Sequence, residues 1–177
     1  KNNLQIIASM LNLQLAGIAD EALREPLLES QNRVRTLALI HEMLYGSQSF
    51  TEIPMRAYVA ELAAAVQRSF GPAGTGVRVE IEVEDIELEV GTAIPLALIL
   101  NELLANVFKH AFPQGRKGRV EVRLQQIRGS RLELTVADDG IGVPPDLDPH
   151  DTASMGLQLV SVLTTQLGGL LELHRDH

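Results

Sequence analysis

Apolar residues open the chain at Leu4, Ile7, Leu11 and Leu15, and these spacings of three and four place them on one stripe of a helix. Gly17 and Asp20 mark a turn. A second run puts Leu27, Val34, Leu37, His41 and Leu44 on one helical face. Pro26 falls in its first turn, where a missing N–H is tolerated, and Gly46 is the stop. Two helices joined by so short a turn form an antiparallel hairpin that cannot bury both stripes by itself. A second hairpin or a docked domain must cover the rest, and homodimerisation through a four-helix bundle is the natural solution.

The texture changes after Gly46. Gly46 to Ser49 reads as a linker, and Met55 to Phe70 gives another helical pattern ended by Gly71-Pro72. Val77, Val79, Ile81 and Val83 then alternate with Arg78, Glu80, Glu82 and Glu84, the period of a strand with one face on a core and one in water. Residues 92–112 form an apolar run long enough for a buried helix, with Pro95 in its first turn. Two alternating strands follow at 119–125 and 131–137. A loop rich in Gly, Pro and Asp spans 140–155, a helix runs over 156–167, and Gly168-Gly169 leads into the apolar run Leu170 to Leu173. No internal repeat interrupts this order. The expected organisation is a helical hairpin over 1–48 followed by an α/β domain over 49–177.

Composition narrows the function classes. With 177 residues, 45% apolar and 21% charged, the chain can bury a core in one ordinary domain with a small helical attachment. It lacks cysteine, which removes disulfides and thiolate metal sites. No charge-poor stretch is expected to reach the ~18 residues of a membrane span. A cytoplasmic setting is expected, without membrane contact in these residues; the opening Lys-Asn-Asn carries no leader pattern, so any sensor or anchor is expected outside them. A net charge of −8 argues against a bulk grip on nucleic acid, and 3% aromatic residues offer no stacking platform for single strands. The basic cluster Arg116, Lys117, Arg119 and Arg123 is local, either a solvated hairpin edge or a docking patch.

Candidate chemistry lies where periodicity and residue type disagree. Leu132, Leu134 and Val136 share the core face of the second hairpin strand, and the same phase carries Asp138 inward. A buried carboxylate needs a donor, so Asp138 is a candidate ligand contact, whereas Asp139 faces water. Gly140 and Gly142 allow a tight turn and the approach of a flat ligand. On the apolar helix, Glu102, Asn106 and Lys109 or His110 recur in steps of four, three and four, a polar stripe along one face. Asn106 offers an oxygen suited to Mg²⁺, and Lys109 a point charge for phosphate. Gly156-Leu157, opening a helix after a flexible loop, presents N–H groups to an anion.

These motifs resemble a known family. Asn101-Glu102-Leu103-Leu104-Ala105-Asn106-Val107-Phe108-Lys109-His110 is similar to the N box of histidine kinase ATP-binding domains. Asp138-Asp139-Gly140-Ile141-Gly142 resembles their G1 box, and Ser154-Met155-Gly156-Leu157 a G2 box. Lys1-Asn2-Asn3-Leu4-Gln5-Ile6-Ile7 and Leu39-Ile40-His41-Glu42-Met43-Leu44-Tyr45 resemble the dimerisation and phosphotransfer hairpin of the HisKA_2 subfamily. The resemblance covers nearly the whole chain. It implies an α+β fold: an antiparallel helical hairpin, then a two-layer α/β sandwich of the Bergerat type shared with gyrase, Hsp90 and MutL.

The resemblance further implies that Mg²⁺ and ATP bind, and that the γ-phosphoryl passes to a histidine and then to an aspartate on a response regulator receiver domain. Asp138 would hold the adenine amino group, Asn106 the Mg²⁺ and Lys109 phosphate oxygens, with His110 beside them. Gly140, Gly142, Ser154, Met155, Gly156 and Leu157 would line the nucleotide and its lid. Glu102 would orient a metal-bound water or act as base, or make a structural hydrogen bond. The subfamily's phosphoacceptor precedes Lys-Asn-Asn by three positions, which sets it before Lys1. His41-Glu42 also opens the acceptor motif of the commoner kinase class, but Gly46 stands where that class has proline, so His41 is expected to be a packing residue. The G2 segment carries one glycine where many kinases carry more, implying a stiffer or shorter lid. A last strand is expected after Leu173 and is missing from the sequence. An ATP-driven clamp of the gyrase or MutL type and a non-catalytic dimer scaffold remain alternatives, separated by phosphohistidine analysis and nucleotide titration.

Overall fold

The computed structural model describes residues 3–18, 20–46, 52–143 and 154–174. Helices α1 (Asn3–Ala16) and α2 (Glu21–Gly46) form the expected hairpin. Leu15 and Ala38 are buried in it, and Gln31 donates to the Ala8 carbonyl across the pair. Pro26 is the sixth residue of α2 and not in its first turn. The helix starts earlier than the sequence suggests, and the missing N–H leaves one carbonyl of the first turns without its usual partner. The linker over 47–49 lies outside the described residues.

Beyond the hairpin come β1 (Glu52–Pro54), α3 (Met55–Ser69), the single turn α4 (Pro72–Thr75), β2 (Val77–Val83) and β3 (Glu87–Glu89). Next are α5 (Val90–Asn106), a π-helical turn (Val107–Ala111), β4 (Gly118–Gln126), β5 (Leu132–Asp138) and α6 (Met155–Gln166). The main sheet is mixed, in the order β2-β4-β5. β2 runs parallel to β4, with Ile81 opposite Val122. β5 runs antiparallel to β4, with Val136 opposite Val122. The parallel pair requires a crossover, which α5 supplies. β1 and β3, which the sequence pattern did not reveal, pair antiparallel as a separate short ribbon, Ile53 opposite Leu88.

One face of the sheet makes the core. Val120, Val122 and Leu124 of β4 are fully buried against Tyr58, Leu62 and Val66 of α3 and Leu96, Leu100 and Leu104 of α5. The other side of α5 carries Ile99, which packs with Val160 and Leu163 of α6. Helix α5 is therefore covered on both sides, which is why its sequence is apolar almost all round. The stretch Val90–Ala111 is long and apolar enough to cross a membrane, contrary to expectation, but most of it is buried inside the fold. Pro95, like Pro26, is the sixth residue of its helix and not part of the first turn.

The outer face of the sheet is a charge ladder. Arg119 pairs with Glu80 at 3.3 Å, and Arg123 pairs with Glu82 at 3.1 Å and with Glu121. Arg116 donates to the Asp139 carbonyl. Two of the four basic residues, Arg119 and Arg123, are thus matched by acidic side chains, and Arg116 by a backbone carbonyl.

Candidate functional site

The candidate site forms where α5 ends. The α-helix stops at Asn106, and Val107–Ala111 follows as a π turn instead of continuing to residue 112. One wider turn rotates Lys109 and His110 relative to a plain α-helical stripe, and such turns recur at functional sites. Asn106 is half-buried, and among the described residues its side-chain amide makes no hydrogen bond. An unused amide at a helix end is open to a ligand. His110 is exposed.

The loop after β5 is tied to this turn. Ile141 donates its N–H to the Ala111 carbonyl at 3.0 Å. Gly140 lies so close that a Cβ there would meet the Ala111 Cβ at 2.5 Å and its oxygen at 2.6 Å. The protein itself therefore requires glycine at 140, whatever a ligand demands. Gly142 adopts a φ of 75°, a turn conformation that side chains disfavour. Asp138 departs from expectation: it is exposed at the strand end, and its Oδ1 accepts the Gly140 N–H at 2.9 Å. β5 ends there, so core phase carries the carboxylate to the mouth of the fold and not into its interior. Asp139 is exposed as expected, with Oδ1 accepting from the Arg119 N–H at 2.7 Å.

The third segment is the start of α6. Ser154 sits at the N-cap without a side-chain cap, Met155 is exposed, Gly156 is buried and Leu157 half-buried. The first helical bond joins Gln158 N–H to the Ser154 carbonyl, so the N–H groups of 155–157 have no acceptor within the helix. A Cβ on Gly156 would stand 2.7 Å from Glu102 Oε2. Helix α6 thus begins directly over the Glu102 carboxylate.

Glu102 itself is buried and held by a residue that sequence reading missed. Arg33 of α2 grips it with Nε to Oε1 at 2.9 Å and Nη2 to Oε2 at 3.0 Å, and Asn101 adds a longer bond. The guanidinium is held above its ordinary pKa, first by its hydrogen bond to Glu102; burial opposes this, and attraction to Glu102 and Glu29 adds to it. Two neighbours on the same face of α2 act alongside. Glu29 receives Lys109 Nζ at 2.6 Å, and Thr36 Oγ1 bonds Asn101 Oδ1 at 3.1 Å. Glu29, Arg33 and Thr36 are spaced by four and three, so a polar stripe on α2 faces the polar stripe of α5. That spacing was the available signal in the sequence, masked by the apolar face beside it.

A cleft of about 500 Å³ also opens between the hairpin and α3, lined by Gln5, Ser9, Asn32, Glu42 and Ser69. Of the residues that resemble the N, G1 and G2 boxes it reaches only Asn101, and it meets the α2 stripe at Thr36.

Known proteins share this sequence pattern and fold. Residues 1–70 match the HisKA_2 family, described as histidine kinase, and residues 91–177 match the family of histidine kinase-, DNA gyrase B- and HSP90-like ATPases. The chain is 30% identical over 99% of its length to blue-light-activated histidine kinase 2 of Erythrobacter litoralis, covering 51% of that protein. It is 32% identical over 98% of its length to the sensor histidine kinase PdtaS of Mycolicibacterium smegmatis, covering 35% of it. The chain thus spans about half, or about a third, of the curated relatives it matches. Among solved structures, the histidine kinase domain of an Erythrobacter litoralis blue-light activated histidine kinase superposes with a TM-score of 0.75 at 29% identity, covering 99% of this chain and 81% of that one. With a hairpin that matches one histidine kinase family and a sandwich that matches their ATPase domain, the chain belongs to the HisKA_2 histidine kinases.

Proposed function

We propose that this chain is the catalytic core of a protein histidine kinase that binds Mg-ATP, transfers the γ-phosphoryl to a histidine, and passes it on to a response regulator receiver domain. The observation that carries the reading is the half-buried amide of Asn106, unused among the described residues and lying along the helix between Glu102, which meets Gly156, and the π turn, whose Ala111 meets the Gly140–Ile141 loop. Residues 49–177 form the ATP-binding unit, since α3, α5 and the sheet share one core. Residues 1–48 form the hairpin.

In this reading Asn106 holds the metal and Lys109 the phosphate oxygens, with His110 at the rim. Bound Mg²⁺ would neutralise charge on the phosphates. Asp138, open at the strand end, accepts the adenine amino group. Gly140 and Gly142 shape the turn beneath the base. Ser154, Met155, Gly156 and Leu157 close over the phosphates, with the N–H groups of 155–157 offered to them. Glu102 orients a water or acts as base once Arg33 releases one of its oxygens; otherwise it serves as the structural anchor seen here. His41, on α2, is half-buried and has a partner, which favours a packing role over that of acceptor.

The hairpin also supports homodimerisation. Ile6, Met10 and Leu13 of α1, spaced by four and three, and Leu23 of α2 remain exposed. Helix α2 already spends its polar face on α5, so this apolar stripe is the surface left for a second hairpin. The expected location is cytoplasmic, where receiver domains and ATP are found.

Nucleotide choice tests the reading. A carboxylate accepts from the adenine amino group, whereas guanine presents a carbonyl there. Calorimetry should give ATP binding well above GTP, and Asp138→Asn should weaken ATP by roughly ten- to a hundredfold, the loss of a charge-assisted bond. Equal affinity for both nucleotides would remove Asp138 from the adenine site, and no saturable ATP binding at all would favour a scaffold.

A further inference from the structure

The contacts between α2 and the end of α5 point to a regulatory role. We infer that Glu29 of the hairpin competes with nucleotide phosphate for Lys109, so that the docked hairpin restrains ATP binding and bound ATP loosens the hairpin. The inference rests on Lys109 being the phosphate ligand.

Geometry carries it. Lys109 Nζ lies 2.6 Å from Glu29 Oε1, with 21% and 25% of the two side chains exposed. The ammonium is therefore already committed to a carboxylate from another module. An ammonium has three donors, but a triphosphate brought to it would face the Glu29 carboxylate at close range in a partly desolvated place. Like charges around one cation make the two occupants rivals instead of partners. Arg33 offers Glu29 only a longer contact in exchange. Its Nη2 stands 3.8 Å from Glu29 Oε2 while Nε and Nη2 are engaged by Glu102.

The remaining contacts explain why displacing Glu29 need not separate the modules. Arg33–Glu102 and Thr36–Asn101 lie further along the same face of α2, and the buried Tyr58 hydroxyl donates to the Thr36 carbonyl at 3.3 Å. Among the described residues Glu29 is the outermost contact on this stripe. Nucleotide would open that end first, with Arg33 and Thr36 as the fulcrum. Because linkage is reciprocal, the factor by which docking weakens ATP equals the factor by which ATP weakens docking.

Isothermal titration of ATP and of adenosine, both with Mg²⁺, into wild type, Glu29→Gln, Lys109→Met and the double variant tests this. Glu29→Gln should tighten ATP by roughly 5- to 100-fold, a usual range for coupled sites, and leave adenosine unchanged. In the Lys109→Met background the gain should shrink to a small remainder. Adenosine binding reports an intact pocket for each variant. Should Lys109→Met weaken ATP while Glu29→Gln changes nothing, or should Glu29→Gln tighten ATP equally in both backgrounds, competition is overturned and phosphate binding by Lys109 stands. If Lys109→Met leaves ATP affinity intact, the phosphate assignment fails, and the inference with it.

Discussion

Glu102 and Gly156 touch across the site: the carboxylate oxygen of one stands 2.7 Å from where a Cβ on the other would be. A long side chain would ordinarily yield to a new methyl group. Here both Glu102 oxygens are fixed by Arg33, so it has little freedom to withdraw. Gly156→Ala should therefore destabilise the fold by about 1–3 kcal/mol, the usual range for overpacking. Thermal unfolding should show this as a drop of several degrees. An unchanged midpoint would mean that α6 shifts without penalty.

Arg33 and Glu102 are not equally replaceable. Glu102 is 4% exposed, and Arg33→Met would strand its charge with, among the described residues, only the Asn101 amide for company. Breaking a buried pair in this way costs about 3–5 kcal/mol. Glu102→Gln leaves Arg33 within 3.8 Å of Glu29, in a more open place, and should cost clearly less. Adding Glu102→Gln to Arg33→Met should restore part of the loss. Urea unfolding of the three variants measures the order, and equal losses for the two single variants would contradict it.

The elements that announced themselves in the sequence are those governed by one local rule. α3, β2, β4 and β5 each carry a clean period and their positions follow it, whereas α1 is apolar on more than one face, and Ile7 of its expected stripe is exposed. The N-box stripe was legible for the same reason, since Glu102 and Asn106 interrupt an apolar run at helical spacing. What stayed hidden depends on tertiary partners. The ribbon of Glu52–Pro54 with Glu87–Glu89 is too short for alternation to register, and only pairing at Ile53 and Leu88 makes it strand. The π turn at 107–111 is set by packing of Val107, Phe108 and Ala111 into the core, which no spacing rule foresees. The inward phase of Asp138 was extrapolated past the end of the covered strand. Arg33 and Glu29 were overlooked because charged residues on a long helix usually face water, and their partners lie 69 and 80 positions away.

Tyr58 gives the domain a defined alkaline limit. Its phenol is fully buried, and burial pushes its pKa above the ordinary value of 10.0. The unfolded chain ionises this group near pH 10 while the fold keeps it neutral. The contribution is therefore fully present below that pH and is lost as pH rises past it toward the folded pKa, at up to about 1.4 kcal/mol per pH unit. Tyr58→Phe should remove one proton's worth of this slope. At neutral pH it should cost about 1 kcal/mol through loss of the bond to Thr36. Urea unfolding between pH 8 and about pH 11 compares the two proteins, and identical slopes would exclude Tyr58 as the cause.

Asn106 separates metal from base recognition. Its amide is half-buried at the last α-helical position before the π turn, and no described residue uses it. Mg²⁺ takes oxygen ligands, keeps several waters and is held by few protein groups together with phosphates. One lost amide ligand should therefore matter only when metal and phosphate are both present. Asn106→Ala introduces a better helix former, so the end of α5 should stay folded. ATP affinity in Mg²⁺ should fall by roughly ten- to a hundredfold, as for other bonds to charged groups, and approach the value measured in excess chelator. Adenosine, which carries no phosphate, should bind almost as before. An equal loss for ATP and adenosine would locate the damage in the pocket walls instead, through the π turn that Ala111 shares with the Gly140–Ile141 loop.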